Sequence, residues 1–168
     1  MAEARCTVRP LRPADQPAIV DIYNHYIENS PCTFDTQTFS VVDRQPWFAQ
    51  FERAPYACLV AVVGKDVVGY ACCQRFKARP AYATSAEVSI YVDTDTAGRG
   101  IGTALYAELF DYVSEQPLHR AYAGITLPND ASVQLHHKFG FTQVGAYDEV
   151  GFKFNKFWDV AWFEKPLG

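Results

Sequence analysis

The chain has 168 residues, of which 49% are hydrophobic and 15% aromatic, and its formal net charge is −4. This length and apolar content suit one domain spanning residues 1–168. An acidic chain without clustered Lys and Arg does not fit a nucleic-acid-binding protein. The longest apolar run, 57–63, is too short to cross a bilayer, and residues 1–12 lack the apolar core of a signal peptide. We therefore expect a cytoplasmic protein with no membrane partner.

The first half of the chain alternates between strand and helix patterns. Period-two alternation predicts strands and apolar residues at helical spacing predict helices, while Gly64-Lys65-Asp66 has the composition of a hairpin turn. The predicted elements are a strand at 5–9, a helix opened by Pro13 and Asp15, a helix at 42–53, and strands at 56–63 and 67–73.

The second half continues this alternation and ends in hairpins, which together predict a mixed α/β sheet. Asn129 or Asp130 is the expected N-cap of a short helix that Gly140 closes. The predicted elements are a strand at 87–92, a helix from Thr103 that Pro117 stops, a strand at 121–126, a helix at 131–138, a return to strand at 139–141, and strands near 152–154 and 160–164.

A glycine-rich turn joins the strand at 87–92 to the following helix. Gly98, Gly100 and Gly102 allow a ligand to approach the backbone, and the first N–H groups of a helix attract anions. The turn is therefore a candidate phosphate cradle. Its spacing fits neither a Walker loop nor a dinucleotide fingerprint, and a glycine-rich connection without a ligand remains an equal alternative.

Two loops carry aromatic or basic side chains that could serve a binding site. Phe34, in the turn-rich loop 28–35, either lines a pocket or closes the core. Loop 74–85 interleaves basic and aromatic residues, which could grip a carboxylate of a small zwitterionic molecule or form a solvated hairpin edge. These residues are Arg75, Phe76, Lys77, Arg79 and Tyr82.

The cysteines give no sign of a metal site or a disulfide framework. The chain has five, an odd number without CxxC spacing. Most are expected to be small buried hydrophobes, and adjacent Cys72 and Cys73 point to opposite faces of a strand. A thiol nucleophile is a minor alternative, and we predict no metal.

The strand and glycine turn together, Ser89-Ile90-Tyr91-Val92 followed by Gly98-Arg99-Gly100-Ile101-Gly102, resemble the acetyl-CoA-binding motif of the GNAT superfamily of N-acetyltransferases. The motif usually begins with Arg or Gln, where this chain has Ala97. Arg99 or the backbone alone would then have to serve the phosphates.

Further segments are similar to the phosphinothricin acetyltransferase branch of that superfamily, and the similarity spans nearly the whole chain. These segments are Ile22-Tyr23-Asn24-His25-Tyr26-Ile27, Cys32-Thr33-Phe34-Asp35, Lys77-Ala78-Arg79 with Tyr82, Glu87, Leu127-Pro128-Asn129-Asp130 with Ser132 and Leu135-His136, and Gly151-Phe152-Lys153 with Trp158-Asp159-Val160.

The resemblance implies an α/β (α+β) fold with a mixed, mostly antiparallel sheet flanked by helices, acetyl-CoA as co-substrate, a small-molecule amine as acceptor, and a homodimer.

Ile90, Tyr91 and Val92 would pair with the pantetheine arm, and Asn129 would bond it from the opposite side. The implied pyrophosphate cradle is Gly98, Arg99, Gly100, Ile101, Gly102 and Thr103, with Ser132 and Lys138 nearby; Lys138 is equally an ordinary surface lysine. The implied substrate contacts are Phe34, Phe76, Lys77, Arg79 and Tyr82, with Tyr91 able to shape the same pocket.

Glu87 is the candidate general base. An α-amino group is largely protonated at neutral pH and must lose a proton before it attacks the thioester. Glu87 stands at the start of an apolar strand, where partial burial would raise its pKa. The alternative is a salt bridge from Glu87 to Lys77 or Arg79.

His136 is the candidate general acid for the departing CoA thiolate, and it is favoured over His137. Many GNAT enzymes use a tyrosine in this role, and the alternative is a packed or surface histidine. Much of the acceleration could come from holding the amine and thioester together.

The function predicted from these features is acetyl-CoA-dependent, direct N-acetylation of a small amino acid or an analogue such as phosphinothricin, methionine sulfoximine or methionine sulfone. The alternatives are another acceptor, namely a polyamine, an aminoglycoside or a protein N-terminus, or a non-catalytic CoA-binding sensor.

Overall fold

The computed structural model describes residues 6–168, so Arg5, the predicted first residue of the first strand, lies outside the described residues. The strands are β1 (Cys6–Pro10), β2 (Ala57–Val63), β3 (Asp66–Arg75), β4 (Ser85–Val92), β5 (Arg120–Leu127), β6 (Thr142–Lys153) and β7 (Lys156–Pro166). The helices are α1 (Gln16–Asn29), α2 (Gln45–Ala49), α3 (Ile101–Ser114) and α4 (Asp130–Lys138).

The seven strands form one sheet in the order β1-β2-β3-β4-β5-β7-β6. The β4–β5 pair is parallel, and the other neighbouring pairs are antiparallel. This arrangement confirms the predicted mixed, mostly antiparallel sheet.

Alternating residues of the central strands build two cores, one on each face of the sheet. On one face Leu59 and Ala71 pack with the apolar side of α3, including Leu105. On the other face Val60 and Tyr70 pack with α1 and α2. The sheet is therefore covered on both sides, as the expectation of flanking helices requires.

The second helix is shorter than the predicted 42–53. It spans Gln45–Ala49 and continues as a 3₁₀ turn, Gln50–Glu52. The Ser40 hydroxyl and the Asp43 carboxylate bond each other's backbone N–H groups in a turn that precedes the helix. Proline in the first turn of α2 fits this later start, because its missing N–H has no helical acceptor there.

The last two strands are longer than predicted, with 12 residues in β6 and 11 in β7. Most of β6 is exposed on both faces, so it lacks the alternation by which a half-buried strand is recognised. The predicted return to strand at 139–141 was early, since β6 begins at Thr142, and α3 begins at Ile101 rather than Thr103.

No helix in the part of the chain from residue 6 to 168 is long and apolar enough to span a membrane.

Candidate active site

The parallel pair β4–β5 opens part-way along the sheet and leaves a cleft between the strands. Its pairing covers three residue pairs, from Ser85 with Arg120 to Glu87 with Tyr122. Beyond Glu87 the strands diverge, and a diverging strand edge offers backbone N–H and C=O groups to a ligand. The splay therefore creates a binding cleft, and Glu87 stands where it begins.

Two adjoining cavities occupy this cleft. The first, which we call the loop cavity, measures about 380 Å³ and lies against the glycine turn. The second, which we call the Glu87 cavity, measures about 360 Å³. Both are lined by Cys32, Ser89, Tyr91, Gly124 and Thr126. The shared lining means that a molecule in one cavity can reach a molecule in the other.

The loop cavity gathers most of the predicted cofactor-binding residues. The predicted residues in its lining are Ile90, Tyr91, Val92, Gly98, Gly100, Ile101, Gly102, Thr103, Asn129, Ser132 and His136. Arg99 and Lys138 are exposed and are not among its lining residues. The Lys138 ammonium donates to the Thr103 hydroxyl at 3.2 Å, so Lys138 adjoins the cavity rim.

The glycine turn is open toward this cavity. Gly98 and Gly100 have φ of +79° and +77°, and no heavy atom lies within 4 Å of where their Cβ atoms would be. The next helix, α3, has 14 residues, and Gly100 is its N-cap. Free N–H groups of a helix start, reached across glycines, suit a diphosphate. The turn thus has the geometry of an anion cradle.

Asn129 and His136 close the opposite wall of the loop cavity. Asn129, one of the two predicted N-caps of α4 and the one observed, accepts from the Ser132 N–H at 3.2 Å and donates to the Cys32 sulfur at 3.4 Å. Asn129 therefore joins α4 to the loop that carries Phe34. That Cys32 would line both cavities was not predicted from the sequence.

His136 is buried and both of its ring nitrogens have partners. Nδ1 lies 2.7 Å from the Ser132 carbonyl oxygen, which can only accept, so Nδ1 carries a proton. Nε2 lies 2.9 Å from the Tyr106 hydroxyl, which therefore donates to the neutral imidazole. Burial lowers the pKa of His136. Tyr106 was not predicted as a site residue, because in the sequence it occupies an ordinary apolar position of α3.

The lowered pKa of His136 predicts a stability change with pH. Its folded pKa lies below the unfolded value of about 6.5, so the unfolded chain binds more protons between the two values. We expect stability to fall as the pH drops through about 6.5. In thermal melts between about pH 7.5 and 5.5, His136→Asn should flatten this slope, whereas exposed His119→Asn should leave it unchanged. Equal slopes for His136→Asn and wild type would contradict the prediction.

The Glu87 cavity contains Glu87, Phe34 and Tyr91 of the predicted residues. Burial raises the pKa of Glu87. Among the described residues Glu87 forms no ion pair, so the predicted alternative of a salt bridge to Lys77 or Arg79 is wrong. Phe34 is 36% exposed and reaches this cavity, which favours the pocket-lining interpretation.

The basic side chains of loop 74–85 lie beside the Glu87 cavity rather than in its lining. The Phe76 ring stacks on Tyr122 at 4.6 Å, and the Lys77 ammonium sits over the Phe76 and Tyr82 rings. Lys77 and Arg79 are exposed. The Phe76 ring also contacts Trp162, which does line the cavity. Phe76, Lys77, Arg79 and Tyr82 therefore remain predicted substrate contacts.

Several cavity residues were not anticipated from the sequence. Three of them line the Glu87 cavity: Arg44, which directly precedes α2, Trp47 of α2, and Gln74 of β3. The Trp47 indole N–H donates to the Gln74 side chain at 2.8 Å. Tyr26 lines the loop cavity and donates to the Val92 carbonyl oxygen at 2.7 Å. Helical periodicity assigned Tyr26 and Trp47 to the core, and only the tertiary structure shows that they also border a cavity.

The buried thiols are poor nucleophiles. Burial raises the pKa of Cys73 to about 12 and raises that of Cys72 further. A thiolate is the reactive form, so covalent catalysis through either residue is disfavoured. Within residues 6–168 no group of three or more His, Cys, Asp or Glu side chains could hold a metal ion.

The profile of the Acetyltransferase (GNAT) family matches residues 19–141, and the chain belongs to that family. Membership of this family defines the class of the protein: it is an acetyl-CoA-dependent transferase.

Relatives with stated activities share nearly the full length of the chain. It is 48% identical over 167 residues to a phosphinothricin N-acetyltransferase of Streptomyces coelicolor, with 98% of each protein covered. It is 30% identical over 161 residues to an L-methionine sulfoximine/L-methionine sulfone acetyltransferase of Salmonella typhimurium, covering 96% of this chain and 94% of the relative.

A solved relative has the same fold in complex with the co-substrate. This GNAT superfamily phosphinothricin acetyltransferase from Sinorhizobium meliloti, in complex with AcCoA, has a TM-score of 0.93 and 30% sequence identity to this chain. The match covers 97% of this chain and 89% of that one. Acetyl-CoA is therefore the co-substrate of this GNAT protein, as predicted.

Proposed function

We propose that the protein transfers the acetyl group of acetyl-CoA directly to the α-amino group of a small amino acid or analogue of the phosphinothricin, methionine sulfoximine or methionine sulfone type. The observation that carries the proposal is the junction of the two cavities. An open glycine turn at a helix start borders one cavity, and the partly buried carboxylate of Glu87 borders the other. The stated activities of the two relatives support the choice of acceptor.

In this proposal Glu87 acts as the general base. The acceptor enters as an ammonium group, which must be deprotonated before its nitrogen can attack the thioester carbonyl. The raised pKa of Glu87 makes its carboxylate a stronger base than an exposed glutamate, and no cation among the described residues neutralises it. Direct transfer is consistent with the high pKa of the buried thiols, which removes them as acetyl carriers.

The loop cavity would hold the carrier through backbone groups. Free N–H groups at Gly98, Gly100 and the start of α3 would bind the diphosphate, and the open edge of β4 would pair with the amides of the pantetheine arm. Asn129 would bond the arm from α4. Ala97 has no side-chain donor and Arg99 is exposed outside the cavity lining, so the backbone would carry most of the diphosphate contacts.

His136 would supply the proton to the departing thiolate through Tyr106. When the imidazole is protonated, Nε2–H donates to the Tyr106 oxygen and frees the phenolic proton for the sulfur. The lowered pKa of His136 makes this form scarce at neutral pH. The acid would therefore contribute less than the base.

The small catalytic contribution expected of this general acid gives a prediction for two variants. We expect His136→Asn and Tyr106→Phe each to lower kcat by less than about tenfold, and the double variant to lower it no further, because both remove one relay. Single-turnover acetyl transfer measures the effect. Additive losses in the double variant would separate the two residues and remove the relay.

A thiol-release assay over a panel of amines tests the proposed function. The panel contains amino acids, their sulfone, sulfoximine and phosphinate analogues, a polyamine, an aminoglycoside and a peptide with a free N-terminus. Turnover concentrated in the amino-acid analogues supports the proposal. Turnover with another amine favours the alternative acceptor, and acetyl-CoA binding without thiol release from any amine favours a sensor.

We further propose that residues 1–168 form one catalytic domain that assembles as a homodimer in the cytoplasm and confers resistance to a toxic amino-acid analogue. An exposed apolar patch on the β6–β7 hairpin supports self-association, since such patches on soluble domains commonly mark interfaces. Its members are Val144, Tyr147, Val150, Phe152, Phe154 and Phe157. Light scattering on wild type and Phe157→Glu tests the dimer, which the charge should weaken.

A further inference from the structure

Arg44 places a cation in the lining of the Glu87 cavity. Residue 44 precedes α2, and its side chain lines this cavity with Glu87 and Gln74. Among the described residues it forms no ion pair. The nearby Asp35 carboxylate accepts from the Tyr23 hydroxyl at 2.5 Å rather than pairing with Arg44. The guanidinium is therefore available to a ligand.

Three aromatic rings hold the guanidinium of Arg44. Its central carbon lies 4.2 Å from the Trp47 ring centroid, 4.7 Å from that of Tyr23 and 5.3 Å from that of Phe39. Rings stacked on a guanidinium cover its faces and leave its N–H edges free. Those edges form a planar fork that matches the two oxygens of a carboxylate. The cation is thus held in place before a ligand arrives.

The other basic residues near this site are less suited to the role. Lys77 and Arg79 are exposed and do not line the cavity. The Arg75 guanidinium donates to the backbone carbonyl of Lys77 at 3.2 Å and to that of Ala78. Among the described residues, Arg44 is the one Lys or Arg in the lining of the Glu87 cavity.

We propose that Arg44 binds the α-carboxylate of the acceptor and so selects amino acids over simple amines. This inference rests on the proposed function, because it takes the amine to lie at Glu87. In an α-amino acid one carbon separates the amine from the carboxylate, so an amine at Glu87 carries its carboxylate into the same cavity. An acceptor without a carboxylate would leave the guanidinium without a partner.

The test compares two acceptors that differ only in the carboxylate. Methionine sulfone and its decarboxylated amine are assayed with wild type, Arg44→Gln and the control Arg53→Gln. Arg53 is an exposed residue that follows the 3₁₀ turn after α2 and does not line the cavity. Arg44→Gln should raise the KM for the amino acid by roughly 10- to 100-fold and change that for the amine by less than about threefold. Arg53→Gln should change neither.

Equal effects of Arg44→Gln on the two acceptors would overturn the inference, as would no effect on either. If the glutamine variant folds poorly, Arg44→Lys keeps the charge but not the planar fork, and it should still show a loss confined to the amino acid.

A wild type that acetylates none of the amino-acid analogues in the panel would end the proposed function, and calorimetry that titrates methionine sulfone with free CoA present then decides the role of Arg44. Loss of amino-acid binding in Arg44→Gln or Arg44→Lys would support the inference, and unchanged or absent binding would reject it.

Discussion

Glu87→Gln should lower kcat by about 10²- to 10⁴-fold while leaving the affinity for acetyl-CoA nearly unchanged. This is the usual contribution of a positioned general base, and glutamine keeps the shape of the side chain but cannot take a proton. Glu87 lines the acceptor side of the cleft and is absent from the loop cavity, so carrier binding should not depend on it. Steady-state kinetics and calorimetry with acetyl-CoA measure the two quantities.

The pH dependence of kcat distinguishes a base from a structural role. Burial raises the pKa of Glu87 above 4.5, and the basic form is the ionised one, so activity should fall as the pH is lowered through that pKa. Glu87→Gln should lose this limb. Glu28→Gln, at an exposed position of α1, is the control and should behave as wild type. Wild-type turnover in Glu87→Gln would remove Glu87 as the base.

Gly151→Ala should raise the KM for the acceptor by about tenfold or more, because residue 151 sets the position of Phe34. A Cβ at this position would fall well under 3.0 Å from three atoms of the Phe34 ring, which lines the Glu87 cavity. The loop cannot simply retreat, since the buried Lys153 ammonium donates to the carbonyls of Ser30 and Thr33, both at 2.8 Å. The Phe34 ring is therefore the group that must move, and it forms part of the wall of the Glu87 cavity.

Two further variants isolate the steric cause. Gly145 lies in the same strand, and a Cβ added there meets no atom within 4 Å. Gly145→Ala should therefore leave the KM for the acceptor and the melting temperature unchanged. Combining Phe34→Ala with Gly151→Ala removes the ring that the new methyl group would strike. The double variant should then match Phe34→Ala alone. A double variant that is much worse would mean that Gly151 acts through something other than Phe34.

Local patterns were enough for the central strand and the glycine turn of the site. Val88 and the residues that follow alternate along β4, and Gly98 and Gly100 adopt the positive φ that only glycine takes easily. Those features depend on neighbours in sequence, so one chain reveals them. The same reasoning failed for β6, because a strand exposed on both faces has no apolar period.

The acceptor side of the site was only partly predictable. Glu87 and Phe34 were expected and do line one cavity, whereas Lys77 and Arg79 lie outside its lining. Basic residues in an acidic chain attract attention when the sequence is read. A basic side chain is available to a ligand, however, only where the fold places no carboxylate to pair with it. Arg44 drew no such attention, because the sequence around it looked like an amphipathic helix.

The sequence by itself determined the order of strands and helices and the open glycine turn before α3, because propensity, hydrophobic period and glycine conformation act over a few residues. Only the tertiary structure decided where β4 parts from β5, that Glu87 stands at that point, and which guanidinium lines the same cavity without an ion pair to any described residue. Those properties arise from residues far apart in the chain: Arg44 and Glu87 line one cavity, and Gly151 makes room for Phe34. Desolvation and packing depend on such long-range neighbours, and no local pattern encodes them.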